Sequence, residues 1–445
     1  MKTMDSKTHY LQQFKDVEAR TRGAEGSWLS KLRRRAIEDF SEAGFPTTRL
    51  EAWKYTNVEP IVASRFKPAA ETANGLSPER LSAFTLGTGS GSLLTFVNGR
   101  FSKKLSRLGP LPAGVRVESL AAALGNGSLD LEPHLGRHVE TSGHPFAALN
   151  TAFLDDGALV FIPAGVDLQE PIQIVFATTQ AEPAVTYPRV LIVGEKNSRA
   201  SIVESYVGLG DQAYFTNAVT EIVVQDNATL EHCRMLEEGS RSYHISTVQS
   251  HLSRDSNLVS HNYAFGGSLI RNHVNSVLDA EGAESTLFGL YVIADRQHVD
   301  NHTRIDHAKP HCSSREIYTG ILDDQSRGIF NGRVIVRPDA QKTDAKQTNR
   351  NLLLSKEALA DTNPELEIYA DDVKCTHGAT IGQLDEEALF YLRARGISQK
   401  AARDILTYAF AGELVDEVKT EPARKYVEKL LRARLPGASG TTVLL

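Results

Sequence analysis

The chain has 445 residues, with 49 basic and 55 acidic side chains for a net charge of −6, enough length for two or three domains and a large core. No Lys/Arg-dense block gives it the electrostatic footprint of a nucleic-acid-binding protein. No apolar run is long enough to cross a bilayer and no secretory leader is visible, so neither membrane nor nucleic acid is expected as a partner and the expected location is the cytoplasm.

The N-terminal part reads as helical. Ser27 is placed to cap a helix carrying Leu29, Leu32, Ala36, Phe40 and Ala43 on one stripe, and Gly44 and Pro46 end it. A short aromatic segment follows, Arg49-Leu-Glu-Ala-Trp-Lys-Tyr-Thr-Asn57, in which Trp53 and Tyr55 read as packing residues ahead of a contact surface. Leu93-Leu-Thr-Phe-Val-Asn-Gly-Arg-Phe101 predicts a hairpin, because Asn98-Gly99 suits a tight turn with positive φ.

From about residue 145 the texture changes to short runs rich in Val, Ile and Thr: Ala158–Ile162, Ile172–Phe176, Val190–Val193 and Glu221–Val224. Such runs, sustained for about two hundred residues, predict an all-β unit. Asn197, Asn227 and Asn257 recur every 30 residues, each just ahead of a strand-like run. A period of this size points to a solenoid in which turns stack, with Asn at left-handed corners; a β-sandwich is the competing reading. A solenoid leaves strand edges at its ends that helices or another molecule must cover.

The last sixty residues read as three helices, capped by Asp385, capped by Ser398 and opened by Pro422, with Gly396 ending the first. Part of their apolar surface is expected to serve a partner.

Two clusters carry possible metal chemistry. In Tyr369-Ala-Asp-Asp-Val-Lys-Cys-Thr-His-Gly-Ala-Thr380, extended backbone would turn Cys375 and His377 to one face. A thiol and an imidazole can hold iron or zinc but cannot complete a tetrahedral site, so further ligands must come from elsewhere, including another chain. His298, Asp300, His302, Arg304 and Asp306 alternate on one strand, with His307, His311 and Cys312 beyond. This stretch reads first as a polar outer strand face and second as an independent metal site. The three cysteines, Cys233, Cys312 and Cys375, lie far apart and fit reduced thiols rather than a disulfide framework.

Several blocks together give the chain a close resemblance to the SufBD family of iron–sulfur cluster assembly proteins, on its SufD side. They are Glu51-Ala-Trp-Lys-Tyr-Thr56, Gly328-Ile-Phe-Asn-Gly-Arg-Val-Ile-Val336, Ala345-Lys-Gln-Thr-Asn-Arg-Asn-Leu-Leu-Leu-Ser355, Pro364 through Thr380, and Phe390-Tyr-Leu-Arg-Ala-Arg-Gly-Ile397. The resemblance implies a mainly β chain. Residues 1–140 would form an N-terminal helical region with a small hairpin, 141–382 a right-handed parallel β-helix core and 383–436 a C-terminal helical region that binds a SufC-like ATPase. Residues 437–445 would be a tail.

It further implies a non-catalytic subunit that pairs with a SufB-like paralogue through the β-helix cores. Cys375 and His377, with His377 the stronger, would contribute to a transient iron or iron–sulfur site at that interface. No tightly bound cofactor is expected in the isolated chain, and a homodimer through the same edge is an alternative assembly. Against a SufB-like scaffold, the scaffold cysteine of that branch falls near Ala358 and the Glu after its shared His is Gly378 here. A β-helix polysaccharide-active enzyme is the remaining alternative; the chain shows neither an export signal nor a compelling carboxylate cluster with a basic partner for it.

Overall fold

A computed structural model of the chain describes residues 2–20, 27–69, 76–87, 89, 91–127, 129–179, 182–210 and 212–435. The tail expected at 437–445 lies outside the described residues. Two long sheets stack alternate strands of the chain, almost all parallel, into a β-solenoid. Sheet one runs from Arg116–Ser119 through Gly157–Ile162, Arg189–Gly194, Tyr214–Val224 and onward to Leu359–Ile368. Sheet two starts with Arg100–Phe101, Ser92–Val97 and Ile172–Thr178 and ends with Lys374–Gly382. From Arg189–Gly194 onward consecutive strands belong to opposite sheets, which is how a coil of this kind is wound, and the mainly β expectation holds. Four strands ahead of residue 141 already belong to the sheets: Lys67–Pro68, Ser92–Val97, Arg100–Phe101 and Arg116–Ser119.

Side chains alternate in and out along each strand. The inward set includes Ile174, Ile192, Ile202, Leu230, Leu258, Leu287, Ile305, Phe330 and Val334, and it forms one continuous apolar column. Each coil turns at a residue with left-handed backbone, and the corner amides bond to the next coil: Asn197 N to Asp226 O at 3.0 Å and Asn227 N to Arg254 O at 2.8 Å. Asn197 (φ 61°) and Asn227 (φ 55°) occupy the corners the 30-residue repeat predicts. Asn257 does not. It opens the strand Asn257–Ala264, and Asp255 (φ 53°) takes the corner. The coil is two residues shorter here, and Asp, like Asn, tolerates that backbone.

The two outer faces are covered from opposite ends of the sequence. On sheet one, the helices Lys2–Arg20, Trp28–Ala43 and Pro145–Ala152 bury Tyr10, Phe14, Phe40, Leu149 and Phe153 together. Ser27 Oγ accepts the Ser30 amide at 3.2 Å to start the second helix, and Gly44 (φ 65°) stops it. Trp53 is buried, with the Arg271 guanidinium 3.7 Å from its ring centre, whereas Tyr55 is exposed. The hairpin forms as the sequence predicts, turning at Asn98 (φ 54°) and Gly99 (φ 81°).

On sheet two, the helices Gln399–Asp416 and Glu421–Arg434 lie across the flank. Ala411, Leu414, Val415, Tyr426, Val427 and Leu431 pack on Val203, Met235, Tyr263, Phe265 and Leu290. Polar clamps register them. Tyr263 Oη donates to Leu414 O at 2.9 Å, and Glu231 accepts from Lys419 N at 2.8 Å and Thr420 Oγ1 at 2.7 Å. These two helices therefore spend their main apolar stripe within the chain. The helix Glu386–Ala394 does not, and leaves Phe390 and Tyr391 exposed by 74% and 56%.

Candidate functional site at the uncovered end of the solenoid

The two ends of the coil differ. At the first, the short strands Arg100–Phe101 and Arg116–Ser119 turn back antiparallel against their neighbours and close the sheets. At the other, both terminal strands, Leu359–Ile368 and Lys374–Gly382, are full-length and parallel, and no further described strand pairs with either. Each therefore presents a row of backbone N–H and C=O groups of the kind that templates pairing with another chain. Leu359, Ile368, Tyr369 and Ile381 are exposed around the same end. A long flat edge with apolar groups is what natural sheets avoid unless a partner uses it.

Cys375 and His377 lie on this edge. Their ladder partners are Ala345 and Gln347, both buried and inward-facing, so the thiol and the imidazole share the inward face of the last strand, as alternation predicts. Cys375 is half-buried against the core, and burial pushes its thiol up from the ordinary value. His377, with no inner coil above it, is exposed. The pair is half of a coordination set. Among the described residues no group of three or more His, Cys, Asp or Glu converges as a metal site. Gly378, where an added Cβ would meet nothing within 4 Å, leaves open space beside the imidazole.

The second sequence cluster does not converge. His298 Nε2 lies 2.9 Å from Thr56 Oγ1, and Asp300 bonds Arg271 and Thr56. His302 Nε2 is 3.1 Å from Asp300 Oδ1. Against the upward push of burial, the Arg271 and His302 charges and the Thr56 hydroxyl hold Asp300 well below the carboxylate range. This outer face thus anchors the N-terminal aromatic segment. His307 turns inward, 2.8 Å from Ser314 Oγ, His311 occupies a left-handed corner, and Cys312 is buried in the core with Sγ donating to Ala280 O at 3.2 Å.

Sequence reading missed the polar side chains beneath His377. Gln347 is directly under it, and Glu316 is directly under Gln347. Glu316 is fully buried, and burial raises its carboxyl from an ordinary 4.5 to about 7, with the Thr303 hydroxyl and the Gln347 amide opposing the rise. Between those values the folded chain keeps a proton that the unfolded chain has lost, so stability falls as pH rises, by about 3 kcal/mol in total. Glu316→Gln removes that slope. Urea midpoints at about pH 5 and about pH 8 should converge in the variant relative to the wild type.

The family model described as SufBD protein N-terminal region matches residues 4–174. That described as SUF system FeS cluster assembly, SufBD core domain, matches residues 176–410. The chain belongs to the SufBD family. It is 34% identical over 418 residues to an iron–sulfur cluster assembly SufBD family protein of Synechocystis, covering 92% of this chain and 91% of that one. It is 32% identical over 422 residues to the iron–sulfur cluster assembly protein SufD of Escherichia coli, covering 94% and 95%. Against SufD of Bacillus subtilis it is 25% identical over 443 residues, covering 96% and 97%. A SufD-like member is therefore what the solenoid and its flanking helices represent. Ala358, where the resemblance sets the scaffold cysteine of the SufB branch, is buried in the core. No helix among the described residues is long and apolar enough to cross a membrane.

Proposed function

We propose that this SufBD-family chain is a non-catalytic assembly subunit. It pairs with a SufB-like paralogue through the uncovered end of the solenoid, and His377, aided by Cys375, holds iron or a nascent cluster between the two chains. The observation that carries this reading is the display of both side chains on an unpaired strand edge, where a second chain can supply the missing ligands. In the isolated chain the raised Cys375 thiol disfavours the thiolate that would bind metal, which favours transient over permanent loading. A SufC-like ATPase docks on the C-terminal helices, where Phe390 and Tyr391 are exposed. Only seven residues separate His377 from the Asp385 cap, so movement of the helix Glu386–Ala394 reaches the edge strand directly.

Co-purification tests the reading. The tagged chain should bring down both a SufB-like and a SufC-like protein from its own cells. Ile368→Asp combined with Ile381→Asp should release the first alone, weakening that contact by about 2–3 kcal/mol. Phe390→Asp should release the second alone. A chain that travels by itself removes the proposal. A chain that pairs only with its own copy, which the same edge permits, replaces the paralogue with a homodimer.

A further inference from the structure

Four side chains stack in register along the inside of sheet two toward its uncovered end: Leu287, Glu316, Gln347 and His377. Neighbouring positions on such a ladder lie about 4.8 Å apart, within reach of Gln and His side chains. Gln347 Nε2 donates to Glu316 Oε2 at 2.7 Å, directed inward. Gln347 Oε1 is buried and has no partner, whereas the Thr303 hydroxyl faces the Glu316 carboxyl. Unpaired buried amide oxygens are rare in folded proteins and call for a partner. The next side chain on the outer side of Gln347 is His377. Space for the amide comes from across the bore: a Cβ on Gly332 would lie 2.5 Å from Gln347 Nε2 and 2.5 Å from the Phe330 ring.

We propose that Gln347 is a positioning residue for His377, and that protonation of Glu316 sets which end of the Gln347 amide the imidazole meets. An ionised Glu316 accepts only, so it holds Nε2 inward and leaves Oε1 for a ring N–H of His377. The other ring nitrogen then keeps its lone pair, turned outward and ready for a metal ion. A protonated Glu316 donates its O–H to Oε1, so the amide turns over and Nε2 donates to the imidazole instead. The proton of the neutral ring then sits on the outward nitrogen, which can no longer act as a ligand. Glu316 titrates at about 7, so the two arrangements exchange within the physiological range. Of the other ionisable groups turned into this part of the bore, the Cys375 thiol is pushed up by burial. Burial keeps Tyr318 protonated and lowers His307 to about 4, and Arg234 stays charged deeper in the coil. The consequence for metal holding rests on the function proposed above; the coupling between the three side chains does not.

The test is the tautomer of His377 in the isolated full-length chain, followed by nitrogen NMR of histidine-labelled protein from about pH 5 to about pH 9, with His377→Gln assigning the signal. In the wild type the tautomer ratio should change at least about threefold with an inflection near 7. Glu316→Gln should abolish that inflection, and Gln347→Leu should abolish it independently, so one misfolded variant leaves the other decisive. A ratio that does not move in the wild type, or moves identically in Glu316→Gln, overturns the inference. Normal cluster yield from His377→Ala would instead defeat the functional reading and leave this coupling standing.

Discussion

Replacing His377 by Ala leaves the chain folded and its complex assembled, while iron loading or cluster yield in that complex falls roughly tenfold or more. The imidazole is exposed, so its removal should change stability by less than about 1 kcal/mol. Its position on the unpaired edge is what gives it a ligand role. Cys375→Ala should have the smaller effect on yield, because that side chain is half-buried against the core and its thiol is held above the ordinary value. Iron and sulfide analysis of the purified complexes checks both variants. Wild-type yield from His377→Ala would remove the assignment of the site.

The largest stability loss is expected at Arg189→Met. Arg189 and Glu221 form an ion pair with both side chains fully buried. Arg189 Nη1 also donates to Asn150 Oδ1 at 3.0 Å and Thr151 Oγ1 at 3.1 Å, on the helix Pro145–Ala152, and Glu221 accepts the Gly136 amide at 2.9 Å. The pair therefore fastens the N-terminal region to sheet one. Removing only the guanidinium strands a buried carboxylate and costs about 3–5 kcal/mol. Urea denaturation should show this loss, and Arg189→Met with Glu221→Gln should recover a large part of it. Equal losses in the single and double variants would mean that the pair acts through packing rather than charge.

The sequence made local signals legible wherever one residue decides the backbone. Ser27, Asp385 and Ser398 accept the amides their cap positions predict, and Asn98-Gly99 makes the turn. Alternation also put Cys375 and His377 on one face. The same alternation hid the stack beneath them. In the strand Ser313–Leu322, Glu316 has the spacing of a solvent-facing residue, and only the coil shows that its face turns inward. Asn257 misled for a related reason, since a fixed repeat cannot show that one coil is two residues shorter. The destination of the C-terminal helices was hidden too, because an amphipathic stripe looks the same whether it meets its own sheet or another protein.

Backbone hydrogen exchange of the full-length chain, alone and with its SufB-like paralogue, addresses the central claim directly. If the uncovered edge is the pairing surface, amides within 359–368 and 374–382 should gain protection when the paralogue binds, while strands at the first end of the coil stay unchanged. Binding of the paralogue with no change in those two strands would contradict the account.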